Sequence, residues 1–210
     1  MMLAKAPIRV LIVDDHAVVR DGVAALLERQ PDMEAVGEAA DGAEALAQFR
    51  ALAPDVTLMD VQMRGAGGLE ATEAIRRLSP QARILVLTTY SGDAQAIRAI
   101  RAGAAGYLLK SCIRRELLDA IRTVHGGGRY ISAEIAHQLA THALDEPLTD
   151  RELTILRLLA DGHANKEVGY RLDLSTDTIK SHLKTLYAKL GVDDRTHAVT
   201  VAARRGYIER

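Results

Sequence analysis

The feature that most constrains this chain is a fivefold alternation between residues 8 and 125. Short apolar runs rich in Val, Ile and Leu alternate there with segments of helical spacing. Ile8–Val13 (IRVLIV) reads as a strand, and Asp15–Gln30 as a helix with apolar positions at Val19, Val23, Leu26 and Leu27, closed by Pro31. Met33–Glu38 is a weaker strand, and Asp41 caps a helix that runs to Leu52. Val56–Met59, Ile84–Leu87 and Gly106–Leu109 are further strands. Between and after them come helices over Gly67–Leu78, Asp93–Ala102 and Ile113–His125, with Gly103 as a stop. Runs this short, buried on both faces and joined by helices, build a parallel sheet. Right-handed crossovers then make it doubly wound. The expected fold is α/β, with five parallel strands.

In an open sheet of this kind, ligands gather at the carboxyl ends of the strands, where the strand order reverses. Here those ends carry Asp14 and Asp15, Asp60, Thr88 and Lys110. Three carboxylates on one rim repel one another unless a cation enters. A hard divalent ion with oxygen ligands resolves the conflict, and magnesium leaves room for water and phosphate. Asp15, Asp60 and the main-chain carbonyl past Asp60, at Gln62, suit it. Lys110 and Thr88 can hold the remaining oxygens of a phosphoryl group. A carboxylate can itself attack phosphorus. Asp60, alone at the tip of the third strand, is the candidate phosphoacceptor.

After residue 125 the pattern changes. Gly126–Gly128 and Asp145–Pro147 break it, with a modest helix between them. From Leu148 onward everything reads helical. The organisation is therefore a domain over 1–125, a linker with a short helix over 126–147, and a small all-α domain over 148–210. Thr149 and Glu152 form a capping-box pattern at the start of one helix. Asn165 caps a short helix, and Ser175 caps a longer one that ends at Gly191. On the longer helix Ile179, Leu183, Leu186 and Leu190 make an apolar stripe, while Lys180, Ser181 and Lys184 lie on the other side. This is a helix-turn-helix layout. A plain helical bundle with solvated lysines has the same spacing.

Composition excludes several classes. One cysteine, Cys112, rules out a disulfide scaffold and a cysteine zinc cluster. Aromatics at 3% leave no stacking platform for single-stranded nucleic acid. No apolar run approaches a membrane span of about 20 residues, and no secretory leader is recognisable, so the expected location is the cytoplasm, with no membrane partner. The net charge is −1, yet residues 178–210 carry seven basic against three acidic side chains. That balance is compatible with a nucleic-acid partner.

The segments VLIVDDHAVVRDG, LMDVQM, LVLTTY and GAAGYLLK resemble the flavodoxin-like receiver domain of two-component response regulators. The stretch from Leu148 to Val192 is similar to the LuxR-type DNA-binding domain. Together they resemble a NarL/FixJ-type response regulator. The resemblance implies phosphoryl transfer from a sensor histidine kinase to Asp60, with magnesium held through Asp14, Asp15 and Asp60. It implies that Thr88 and Tyr107 act as a switch pair, and that Lys180, Ser181 and Lys184 contact double-stranded DNA. It also implies that phosphorylation controls dimerisation and transcription, with no enzymatic activity beyond self-phosphorylation and self-dephosphorylation at Asp60. The sequence departs from the family at Arg64, where proline is frequent, and at Gly169, where alanine is usual. Two other readings compete. A magnesium-dependent phosphatase lacks a second acid at Gln62, two residues after Asp60. A DNA binder independent of phosphorylation leaves the intact Asp60, Thr88 and Lys110 without a role.

Overall fold

The computed structural model describes residues 6–63, 67–89 and 92–208. The chain divides into two compact units, with the main change-over at residues 137–138 and with residues 92–95, which include the start of the fourth helix, grouped in the second.

The first unit is a parallel sheet covered by helices. Its elements, in chain order, are β1 (Ile8–Val13), α1 (Ala17–Leu27), β2 (Met33–Ala39), α2 (Gly42–Leu52), β3 (Val56–Asp60), α3 (Gly68–Leu78), β4 (Ile84–Thr88), α4 (Asp93–Arg101), β5 (Gly106–Leu109), α5 (Ile113–His125) and β6 (Tyr130–Ile131). The strand order is β2-β1-β3-β4-β5-β6, and every neighbouring pair is parallel. The order reverses between β1 and β3, so their carboxyl ends flank the crevice. Strands β3, β4 and β5 are buried at every position, as apolar runs closed on both faces require. Leu11, Val13, Met59 and Ile84 pack on one face with Phe49 of α2 and Ile75 of α3. The opposite face is closed by α1 and α5.

The helix ends follow side-chain chemistry. Asp41 caps α2 by accepting from the amides of Ala43 and Glu44 at 2.9 and 2.8 Å. Helix α1 starts two residues later than the sequence pattern suggests, because Asp14 and Asp15 are drawn into the rim instead of the first turn.

The sheet has a sixth strand where five were expected. Tyr130–Ile131 falls in the segment read as linker and pairs with Gly106–Tyr107 of β5. The amide of Tyr130 donates to Ala105, and that of Ser132 donates to Tyr107. Gly106 makes the approach possible, since a Cβ there would lie 2.9 Å from the Tyr130 carbonyl oxygen.

Helix α6 (Ala133–Thr141) spans the change-over. The second unit is then helical: α7 (Asp150–Ala160), α8 (Asn165–Leu172), α9 (Thr176–Leu190) and α10 (Arg195–Arg205). One apolar cluster joins Leu156 of α7, Leu186 and Leu190 of α9, and Ala198 and Val201 of α10. A second joins Ile155, Leu159, Val168, Ile179 and Leu183. The capping box is present at α7, where Thr149 and Glu152 satisfy each other's backbone amides. At α8 the cap position is Ala164 rather than Asn165. Alanine offers no acceptor there, so Glu167 alone reaches back to the Ala164 amide at 2.7 Å. Ser175 caps α9, and Gly191 ends it at φ +65°.

Candidate functional sites

The strand ends bring their polar side chains to one place. Asp14 follows β1, Asp60 is the last residue of β3, Thr88 the last of β4, and Lys110 follows β5. Asp14, Asp60 and Thr88 are all buried. The Lys110 ammonium bridges the two acids, with Nζ 2.7 Å from Asp14 Oδ2 and 2.8 Å from Asp60 Oδ2. The Gln62 amide donates to Asp60 Oδ1 at 3.1 Å. One carboxylate oxygen of Asp60 is thus held by a cation and the other by a backbone donor.

The electrostatics follow from burial. Desolvation pushes the Asp60 carboxyl above the usual carboxylate range, and the hydrogen bonds from Lys110 and Gln62 offset only part of it. Burial also pulls the Lys110 ammonium down, but its hydrogen bonds and charge contacts with Asp14 and Asp60 outweigh that, and its pKa ends raised. Lys110 therefore stays charged. Tyr107, fully buried on β5, has its phenol driven far above the usual tyrosine range by burial, and a hydrogen bond with Thr88 opposes the shift.

Carboxylate oxygens of Asp14, Asp15 and Asp60 and a ring nitrogen of His16 lie within 4.8 Å of one another. Asp14 Oδ2 and Asp15 Oδ1 are buried, with Lys110 Nζ 2.7 Å from the first and His16 Nδ1 2.7 Å from the second. Carboxylate oxygens in that condition fit a hard divalent cation. For Gln62 the structure gives an amide donated to Asp60 and a side-chain oxygen accepting from Thr89 at 2.8 Å. Arg64, the departure noted in the sequence, lies outside the described residues.

The outward face of α9 is the second candidate site. Ile179, Leu183, Leu186 and Leu190 are buried, while Lys180, Ser181 and Lys184 are exposed. Lys180 Nζ lies 3.0 Å from Asp177 Oδ1 in the first turn of the helix. Lys189 behaves differently although it sits on the same helix. Its side chain is 7% exposed, and its ammonium contacts Glu152 at 3.0 Å, Glu146 at 3.1 Å and the Pro147 carbonyl at 3.2 Å. It ties the start of α7 to the end of α9 and belongs to the scaffold.

Known proteins carry the same two parts. Residues 10–122 match the family model of the response regulator receiver domain, and residues 146–202 match that of the bacterial regulatory proteins of the luxR family. The chain belongs to the luxR-family response regulators. Among the relatives of this regulator is the transcriptional regulatory protein LiaR of Bacillus subtilis, 43% identical over 94% of this chain and 97% of LiaR. Another is the response regulator protein VraR of Staphylococcus aureus, 38% identical over 96% of this chain and 99% of VraR. Among solved structures, RcsB of Salmonella enterica serovar Typhimurium superposes with a TM-score of 0.74 at 27% identity, covering 94% of this chain and 98% of that one. That RcsB structure is bound to promoter DNA in the presence of the phosphomimetic BeF3−.

Two side chains at the regulator's rim were not read from the sequence. His16 donates its backbone amide to Asp14 Oδ1 at 2.9 Å and places Nδ1 2.7 Å from Asp15 Oδ1. Arg20, one turn on, donates to the Asp14 carbonyl at 2.7 Å and pairs with Glu38 at 2.8 Å. The only sequence signal is their position at the start of α1, next to the paired acids. Among the described residues, no helix of the regulator is long and apolar enough to cross a membrane.

Proposed function

We propose that the regulator receives a phosphoryl group on Asp60 from a sensor histidine kinase, and that this controls its dimerisation and its binding to double-stranded DNA. The observation that carries the reading is the Lys110 bridge between Asp14 and Asp60, with the carboxylate of Asp15 beside them. In the transfer, an Asp60 carboxylate oxygen attacks phosphorus and an acyl phosphate bond forms. The bond from phosphorus to the donor's imidazole nitrogen breaks, and that nitrogen keeps the electron pair. Lys110 then passes from the carboxylate to a phosphoryl oxygen. The Thr88 hydroxyl takes another, which loosens its hold on Tyr107, and these two serve as the switch.

Asp14, Asp15, Asp60 and the Gln62 main-chain carbonyl would hold magnesium. When bound, it neutralises charge on the phosphoryl oxygens. The proposed organisation is a receiver over 1–125, a joining segment over 126–147 and a DNA-binding domain over 148–210. Lys180, Ser181 and Lys184 meet the DNA, by analogy with the DNA-bound RcsB. The regulator works in the cytoplasm, without membrane partners, as a transcription factor and not as an enzyme with an external substrate. The test is intact-mass measurement after incubation with acetyl phosphate and magnesium. Wild type gains one acid-labile phosphoryl group and Asp60→Asn gains none. Equal labelling of both removes Asp60 from its role.

A further inference from the structure

On α8, Val168 and Gly169 are buried, while Lys166 and Tyr170 are exposed. Tyr170 is 90% exposed, the most solvent-accessible aromatic side chain among the described residues. Aromatic rings are ordinarily buried, and a tyrosine left in water is most at home at an interface, where its ring and hydroxyl both find partners.

The direction in which Tyr170 faces follows from its neighbours. Gly169 faces the turn and α9, because a Cβ there would lie 2.7 Å from the Leu174 carbonyl oxygen and 3.6 Å from Ile179 Cγ1. Val168 faces the core shared with Ile155 and Leu183. Successive helical residues are separated by roughly 100°, so Val168 stands about 100° to one side of Gly169. On the same count, Lys166 and Tyr170 stand about 60° and 100° to the other side. They flank α9 on the side away from the core. That is also the side to which Lys180 and Lys184 are turned, since Ile179 and Leu183 of α9 are buried.

We propose that Tyr170 is a DNA-anchoring residue, its hydroxyl donating to a backbone phosphate beside the groove that α9 enters, with Lys166 pairing a neighbouring phosphate. The inference rests on the reading of α9 as the DNA-facing helix and extends the contact surface to α8. The first helix of such a motif crosses the sugar-phosphate backbone, and tyrosine hydroxyls are among the usual phosphate donors. Lys166 and Tyr170 are four residues apart, one turn of the helix, so they share one face. Glu167 is turned back onto the Ala164 amide, which keeps its carboxylate engaged at the start of the helix. Asp177 is paired with Lys180.

A neutral donor and a cation leave different signatures. A lysine that neutralises a phosphate contributes about one unit to the salt slope, because it releases counterions. A tyrosine hydroxyl contributes affinity at every salt concentration and no slope. The experiment titrates a labelled duplex of mixed sequence, about three helical turns long, with the full chain in acetyl phosphate and magnesium at several salt concentrations. Tyr170→Phe is expected to weaken binding about tenfold, as for loss of one hydrogen bond to a charged acceptor, with the slope unchanged. Lys166→Gln is expected to lower the slope by about one unit. Circular dichroism serves as the folding control.

Wild-type affinity in Tyr170→Phe, with slope lost in the Lys180→Ala, Lys184→Ala double variant, overturns the inference and leaves the reading of α9 standing. A weaker Tyr170→Phe whose slope also falls overturns the hydrogen-bond role. No binding by wild type, or no loss in the double variant, overturns the reading of α9 and this inference with it.

Discussion

The rim at the strand ends and the outward face of α9 are built in opposite ways. At the rim, charged groups are buried and come from residues as far apart as Asp14 and Lys110, joined by contacts of 2.7 and 2.8 Å. On α9, Lys180, Ser181 and Lys184 come from one turn of one helix and stand in solvent. A buried charge must be matched before a ligand arrives, because desolvation is costly. An exposed one can wait for a partner at little cost. On the proposed reading, the rim is preorganised for a small, highly charged group, and α9 for a long polyanion that supplies its own counter-charge. One helix contains both kinds of lysine. Lys189 is half-buried among acceptors, while Lys184 is exposed, five residues earlier.

Substitutions at the rim, on the two sides of α9 and at its contact with α7 break or sharpen this contrast. The largest effect on stability is expected at its buried face. Ile179→Ala removes a fully buried side chain and should cost about 2–5 kcal/mol, read as a lower unfolding midpoint of the second unit. A cost under 1 kcal/mol would mean that the stripe is not core.

Next comes Glu152→Gln, at the clamp between α7 and α9. Burial pushes the Glu152 carboxyl up, but the Thr149 backbone amide and Lys189 together hold it below the usual range. A lowered folded-state pKa gives stability that is present above the unfolded-state value and is lost as pH falls through the folded-state value. The variant should therefore cost about 1–3 kcal/mol at neutral pH. That difference should shrink on acidification, as followed by denaturation at a series of pH values.

Asp60→Asn should shift stability less, and in the other direction. The raised pKa of Asp60 means that its stability contribution is full below the unfolded-state value and is lost as pH rises through the folded-state value. Removing the buried charge should raise the unfolding midpoint at neutral pH. No gain should remain at a pH below the unfolded-state value. A destabilised variant at neutral pH would show that the Lys110 bridge outweighs the cost of burial.

The smallest change in stability is expected from the Lys180→Ala, Lys184→Ala double variant, within about 0.5 kcal/mol of wild type. Its DNA titration should nevertheless lose about two units of salt slope. An unchanged slope would place the DNA contacts elsewhere.

The sequence by itself determined five of the six strands, because four are short runs dominated by apolar residues and the weaker Met33–Ala39 lies between two helical patterns, each with its apolar positions at the helical period. It also determined the polar rim up to a point: Asp14, Asp60, Thr88 and Lys110 each stand at a strand end, and the topology of a parallel sheet brings strand ends together. Only the tertiary structure decided the rest. Tyr130–Ile131 is too short to carry a period, and its pairing depends on a missing side chain at Gly106, a neighbour only in space. His16 and Arg20 have no pattern that separates them from ordinary residues at a helix start, and they join the rim because the chain turns there. Lys189 and Lys184 are the same residue type on the same helix, and only the acids that surround one and leave the other in water distinguish scaffold from exposed face. Periodicity is a local property that the chain displays along its length, whereas a charge finds its partner across distances that only folding closes.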